Sequence, residues 1–246
     1  LKSNAKTRTR KMVICGLLLA LSIVLKIVFE VYIPIGGLPT LRVNLTALPI
    51  YLSGIIAGPF FGLAVGALSD ILCFLIKPSG PYFPGFTVAS ALSGLLPGLI
   101  FMYKDKIKIS FKWFNLIIAA LFALVMVASG VFGVSETGIT YDGKPVSTFF
   151  MVLMIVLLLG FAAFPFFYQK FSKTDDSSGY PVLFTVTVTQ ILCSIILNTW
   201  FLTVVYGQAA SVLLPARVIT NIFLIPFYSL VLTGILRLLS KKFSVV

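Results

Sequence analysis

The chain has 246 residues, of which 59% are hydrophobic and 11% charged, with 19 Lys and Arg against 7 Asp and Glu. A soluble domain carries about 25% charged residues, and a mean hydropathy of +1.09 leaves too little polar surface for a water-exposed globule, so a soluble fold is excluded. The absence of histidine removes the commonest general base, the commonest zinc ligand and every serine–histidine triad.

Apolar runs of about 20 residues recur, as membrane helices require. The first, Met12–Val31, follows the basic residues Lys2, Lys6, Arg8, Arg10 and Lys11. It is longer than a signal-peptide core and no small-residue cleavage site follows, so it reads as a retained span. A short second span is expected at Asn44–Ala57, lengthened by flanking residues, then Pro59–Lys77 and Gly85–Tyr103. Trp113–Val134 and Thr148–Gln169 form a further pair, and Pro181–Tyr206 and Pro215–Leu239 complete the set. Only helices and closed barrels satisfy their backbone groups in lipid. Runs of this length without strict alternation mean helices. The expected fold is therefore all-α, a polytopic membrane protein of about eight spans in a single domain, 1–246.

An even number of spans puts both termini on one side. That side collects fourteen of the Lys and Arg residues: five at the N-terminus, Lys104, Lys106, Lys108, Lys112, Lys170, Lys173, Arg237, Lys241 and Lys242. Lys26, Arg42, Lys77, Lys144 and Arg217 make the other five. The imbalance places both termini in the cytoplasm. It also accounts for the net charge as a topology signal, with no call for a nucleic-acid partner.

Ionisable residues within spans are costly and point to function. Asp70 lies roughly 10 Å from the outer end of its span and Asn198 roughly 12 Å from the end of its own, at about 1.5 Å per residue. Lys26 and Glu30 sit near the outer end of the first span, Arg217 and Asn221 one turn apart at the outer start of the last, and Arg42 precedes the second span on the same side. Lys26 and Glu30 also fit a snorkelling lysine paired at i+4. Asp70 and Asn198 are too short to snorkel, and they suggest a shared pocket opening outward. The third and fourth spans are joined outside by the segment 77–86, KPSGPYFPGF, where Pro78, Pro81 and Pro84 stiffen the chain. Its Tyr82, Phe83 and Phe86 can face a planar ligand or form an interfacial belt. The pair Trp113–Val134 and Thr148–Gln169 holds no charge and is expected to pack outside the pocket. Gly58, Gly62 and Gly66 recur every four residues, as do Ser90, Gly94 and Gly98. Such stripes let helices approach closely, mostly in internal packing. Gly16 and Ala20 form another such pair, on the cytoplasmic half of the first span. Cys15, Cys73 and Cys193 are far apart and show no metal or disulfide spacing.

Several stretches carry a family resemblance: TLRVNLTALP (40–49), GPFFGLAVGALSD (58–70), GPYFPGFT (80–87), LNTW (197–200) and LPARVITN (214–221). With the first span they resemble the folate-specific S component of energy-coupling factor (ECF) vitamin importers. The resemblance covers roughly 12–103 and 181–240 and implies a six-helix substrate-capture core, with 105–179 as an inserted transmembrane hairpin. It implies a high-affinity folate-binding subunit in the plasma membrane, with no catalytic residue, metal or cofactor of its own. The partners implied are a coupling transmembrane subunit and two cytoplasmic ATPases; the chain itself has no GxxxxGK[ST] loop. In the family, small residues of the first helix meet the coupling subunit, which carries onto Gly16 and Ala20. The substrate-binding candidates are Arg42, Asp70, Tyr82, Phe83, Phe86, Asn198, Trp200, Arg217 and Asn221. Arg42 and Arg217 are suited to carboxylates, Asp70 or Asn198 to the pterin edge, and the aromatic loop to ring stacking. An S component for another vitamin or precursor is the nearest alternative. A membrane-embedded lipid-modifying enzyme is a more distant one, since the chain lacks histidine and has one deeply placed acid, Asp70.

The orientation has a direct test. Single cysteines at 106 and 173, in a background without the native three, are expected to resist an impermeant thiol reagent in intact cells, while one at 144 reacts. Labelling at 106 from outside overturns the orientation.

Overall fold

The computed structural model describes residues 2–29, 31–35, 38–43, 45–78, 80–104, 117–124, 132–135, 138–141, 144–145, 148–171, 179–207 and 210–242. Helix α1 is Lys2–Phe29. A hairpin of β1 (Val31–Ile35) and β2 (Leu38–Val43) comes next, antiparallel, with Val31 opposite Val43. Helices α2 (Ala47–Ala57), α3 (Pro59–Ile76) and α4 (Pro84–Met102) succeed it. The helical stretch 117–124 is α5. A three-stranded antiparallel sheet is built from β3 (Phe132–Ser135), β4 (Gly138–Tyr141) and β5 (Lys144–Pro145). Helix α6 is Thr148–Phe171 and α7 is Gly179–Thr189. A π-helical segment, Gln190–Leu197, leads into α8 (Asn198–Tyr206), and α9 is Ala210–Lys242.

Among the described residues, five helical stretches are long and apolar enough to cross a membrane: Arg8–Phe29, Pro59–Ile76, Pro84–Met102, Pro181–Tyr206 and Arg217–Leu239. They coincide with five of the expected spans and make this a multi-pass membrane protein. The expected second span differs. At 11 residues, α2 reaches only about 16 Å, roughly half the apolar core of a bilayer. The residues before it do not lengthen it; they pair as β1 and β2. The short helix is instead buried in the bundle from Leu48 to Gly54. Lys11 Nζ donates to the Ala57 carbonyl at 3.2 Å, serving the end of α2 where carbonyls lack helical partners. Gly58, at φ 106°, then breaks the chain and Pro59 opens α3. The expected span Trp113–Val134 also ends differently, since Phe132–Val134 belong to β3.

The glycine stripes are the reason α2, α3 and α4 pack backbone to backbone. A Cβ on Gly94 would overlap the Gly62 carbonyl oxygen, and one on Gly62 would overlap that of Gly94. Gly54 meets Gly94 and Gly66 meets Ser90 in the same way, and a Cβ on Gly98 would lie 2.6 Å from Pro59 Cα. Ser90 Oγ donates to the Gly66 carbonyl at 2.8 Å across this seam. Elsewhere Thr185, Thr187 and Ser229 donate to carbonyls one turn back, which satisfies their hydroxyls inside an apolar bundle.

The expected inserted pair packs against the last helix. Phe122 of α5 stacks on Phe161 of α6, and Tyr168 of α6 hydrogen-bonds the Thr233 hydroxyl of α9. These residues share an apolar core with Val218, Ile222, Ile225 and Leu232 of α9.

The packing makes a stability prediction. Gly94→Ala forces the α3 and α4 backbones apart and is expected to cost at least about 1–3 kcal/mol, as overpacking does. Gly16→Ala, whose Cβ would meet nothing within 4 Å, is expected to leave the melting temperature of the detergent-purified chain unchanged. Equal melting temperatures for both variants would refute the backbone seam.

Candidate functional site

A cavity of about 190 Å³ opens where α1, α2, α3, α4, the π segment, α8 and α9 converge. Lys26 of α1 and Asp70 of α3 stand on one wall, Phe86, Ser90 and Ser93 of α4 beside them. Gln190, Cys193 and Ser194 of the π segment, with Asn198 of α8, form another wall. Arg217 and Asn221 of α9 complete it, and Tyr51 and Tyr228 also line it, edge to face at 6.2 Å. Both tyrosines are buried.

On the α9 side, the Arg217 guanidinium donates through Nη1 to the Ser194 carbonyl at 2.6 Å. In a π segment the bonding pattern shifts by one residue, so carbonyls leave their usual partners. The Asn221 amide donates to the Arg217 carbonyl at 2.8 Å and to Ser194 Oγ at 3.3 Å. Both of its protons are thereby used. Asn221 is 1% exposed, and its Oδ1 accepts no hydrogen bond among the described residues. The site thus presents a cationic donor and a buried acceptor one helical turn apart.

The α3 side carries a chain of polar contacts from the loop inward. Thr87 Oγ1 donates to Asp70 Oδ2 at 2.8 Å. With that proton committed, the Tyr82 hydroxyl donates to Thr87 Oγ1 at 3.2 Å. Asp70 Oδ1 lies 3.6 Å from Lys26 Nζ. This cross-helix pair gives Lys26 a partner on α3; Glu30, the i+4 partner that the sequence allows, lies outside the described residues. Below, Ser22 of α1 and Ser69 of α3 share a 2.6 Å hydrogen bond, so the same two helices are tied twice.

Of the residues singled out by sequence, Asp70, Phe86, Asn198, Arg217 and Asn221 come together around the cavity. Tyr82 and Phe83 line a smaller cavity beside it. Their rings pack on the protein itself: Tyr82 on Phe74 at 5.1 Å, and Phe83 within 5.7 Å of Phe86 and 5.5 Å of Phe201. Trp200 is elsewhere. It is 62% exposed, because two residues beyond Asn198 is about 200° around a helix. Arg42 stands on β2 opposite Tyr32, and its side chain lies outside the described residues. Gly16 and Ala20 are on an exposed face of α1, together with Leu17, Leu21 and Val24.

Sequence reasoning missed Gln190, Ser194, Tyr51 and Tyr228. Gln190, Ser194 and Asn198 recur every four residues within an apolar run, a polar stripe that could have been read. Nothing in the pattern marks Tyr51 or Tyr228, whose hydrophobic surroundings make them look like ordinary core residues.

Comparison with known proteins fits this architecture. The folate transporter FolT of Clostridium novyi (strain NT) is 36% identical over 91 residues, which are 37% of this chain and 52% of that protein. The match therefore spans about half the length of that relative. A crystal structure of FolT bound with folic acid superposes with a TM-score of 0.53 at 18% identity, covering 89% of this chain and 88% of that one. It supports the fold. The family model for the S component of the ECF-type riboflavin transporter matches residues 6–143, a range running past 105, where the sequence reading starts its inserted hairpin. That match takes in more than half of the chain, which belongs to the family of ECF-type transporter S components.

Proposed function

We propose that the chain is a folate-binding S component that takes its ligand pterin-first into the cavity between α4, the π segment and α9. The observation carrying this reading is the buried Asn221 Oδ1, an acceptor beside the Arg217 guanidinium. A pterin edge alternates N–H donors with carbonyl and ring-nitrogen acceptors. A buried site that presents both kinds of group matches such an edge, and leaving either group unpaired is costly. A carboxylate accepts only, and Asn221 Oδ1 and the Ser194 carbonyl would repel it. Asn198 and Gln190 add amides to the same wall, while Phe86, Tyr51 and Tyr228 offer aromatic faces. The relative named as a folate transporter and the fold shared with a folic-acid-bound FolT support the ligand class.

This reading reverses the role that sequence alone suggests for Arg217. It moves from the carboxylates to the ring, and the glutamate of folate points to the mouth near Lys26. The nearest alternative is another vitamin, and the family description names riboflavin. A cationic mouth favours the ligand whose tail carries carboxylates.

The same reading supplies the partners. The chain captures the vitamin from outside, with both termini in the cytoplasm of a plasma-membrane protein, and a coupling transmembrane subunit and two ATPases provide energy. The exposed face of α1 with Gly16 and Ala20 is the surface offered to the coupling subunit. It is wide, apolar and lined by small residues that let another helix approach.

The ring assignment is tested with folate and pteroate, which lacks the glutamate. Truncating one member of a buried charged contact costs roughly 2–5 kcal/mol, or about 30-fold to several thousand-fold in affinity. Arg217→Ala is expected to weaken both ligands within that range and by similar factors in calorimetric titration. Asn221→Leu is expected to do the same. Pteroate binding that is indifferent to Arg217→Ala would return Arg217 to the glutamate carboxylates of folate and contradict the pterin-first pose.

A further inference from the structure

Beside the main cavity lies a second, of about 30 Å³, between the end of α3 and the loop before α4. The two share Lys26, Asp70 and Phe86 in their walls, so they adjoin across those three side chains. The smaller one adds Lys77, Tyr82 and Tyr206 at the end of α8. Two lysines and one carboxylate therefore stand in its lining. That carboxylate is already engaged, by Thr87 at 2.8 Å on one oxygen and by Lys26 at 3.6 Å on the other. Lys77 is exposed and makes no ion pair among the described residues. Its backbone is anchored, since its N–H donates to the Cys73 carbonyl at 2.9 Å as α3 ends. The loop closing the cavity is also held in shape: Gly80 has φ 147°, and a Cβ there would lie 2.7 Å from the Tyr206 hydroxyl.

We infer that this outer cavity is a subsite for the anionic tail of the ligand, in which Lys77, backed by Lys26, reads carboxylates extending outward from the main cavity. The inference rests on the pterin-first reading, which directs the tail toward this mouth. Its chemistry is that of a partly exposed cation on a firm backbone. It contributes modestly per carboxylate and is screened by salt. Affinity is therefore expected to rise with the number of carboxylates on the tail.

The experiment measures binding of pteroate, folate and pteroyl-tri-γ-glutamate to the purified full chain and to Lys77→Ala, Lys77→Glu and Lys77→Arg, at low and high salt. Lys77→Ala is expected to weaken folate by about twofold to fivefold, the range of an exposed pair. It is expected to weaken the triglutamate, with four carboxylates, more than folate, with two, and to affect pteroate, whose single carboxylate sits on the benzoyl ring, least. Lys77→Glu deepens the loss, Lys77→Arg restores binding, and high salt narrows the difference between folate and pteroate in the unmodified chain. Equal losses for all three ligands would show that Lys77 holds the loop in place, overturning the inference. Affinities that ignore both Lys77 and tail length overturn it as well, while leaving the pterin site intact. Failure of the unmodified chain to bind pteroate or folate at all overturns the pterin reading and this inference with it.

Discussion

The backbone contact between α3 and α4 positions most of the cavity mouth. Because Gly62 and Gly94 have no side chains, the two helices touch through main-chain atoms. That seam continues upward one turn at a time. Ser90 reaches the Gly66 carbonyl, Thr87 reaches Asp70, and Tyr82 reaches Thr87. Asp70 then draws in Lys26, and with it α1. A dry, close-packed base thus turns into a polar ladder at the mouth. Separating the helices by the width of one methyl group would misplace the two rungs that cross between them, Ser90 to Gly66 and Thr87 to Asp70, because these hydrogen bonds tolerate only a few tenths of an ångström.

The opposite wall depends on an irregularity. A regular helix through Gln190–Leu197 would keep the Ser194 carbonyl in its own ladder. In the π segment that carbonyl accepts from Arg217 Nη1, which ties the guanidinium to this wall. Ser194 acts twice, since its hydroxyl accepts from the Asn221 amide. Lipid offers no hydrogen-bonding solvent to relieve a misplaced group. Polar residues from the length of the chain therefore converge on one cavity, and the acceptor left over there is the feature that asks for a ligand.

Much of this architecture is legible in the sequence, for identifiable reasons. The spans built on Pro59–Ile76 and Pro84–Met102 are clear because proline opens each and apolar residues fill it. The glycine stripes signal close packing, and the seam between α3 and α4 is that packing. Asp70, Asn198, Arg217 and Asn221 stand out because lipid penalises them, and they converge as polar groups in lipid must. What cannot be read is tertiary. Local spacing offers Lys26 a neighbour at i+4, but that Asp70 stands 3.6 Å from it depends on how α1 packs on α3. Trp200 sits in a promising stretch but on the wrong side of its helix. The shortness of α2 is visible, but the hairpin before it is not, because strand pairing between 31–35 and 38–43 depends on partners that no single run encodes. The π segment is equally silent in composition, being as apolar as the helices that flank it.

The central claim is that a pterin, with its anionic tail at the mouth, is the ligand this cavity is shaped for. The family description and the relative matched over half its length name two different vitamins, riboflavin and folate, each with a flat heteroaromatic ring. Direct competition separates them. Radiolabelled folate bound to the purified, reconstituted chain is expected to be displaced by unlabelled folate and retained against a large excess of riboflavin, whose ribityl tail carries no charge. Displacement by riboflavin at lower concentration than folate would contradict the account.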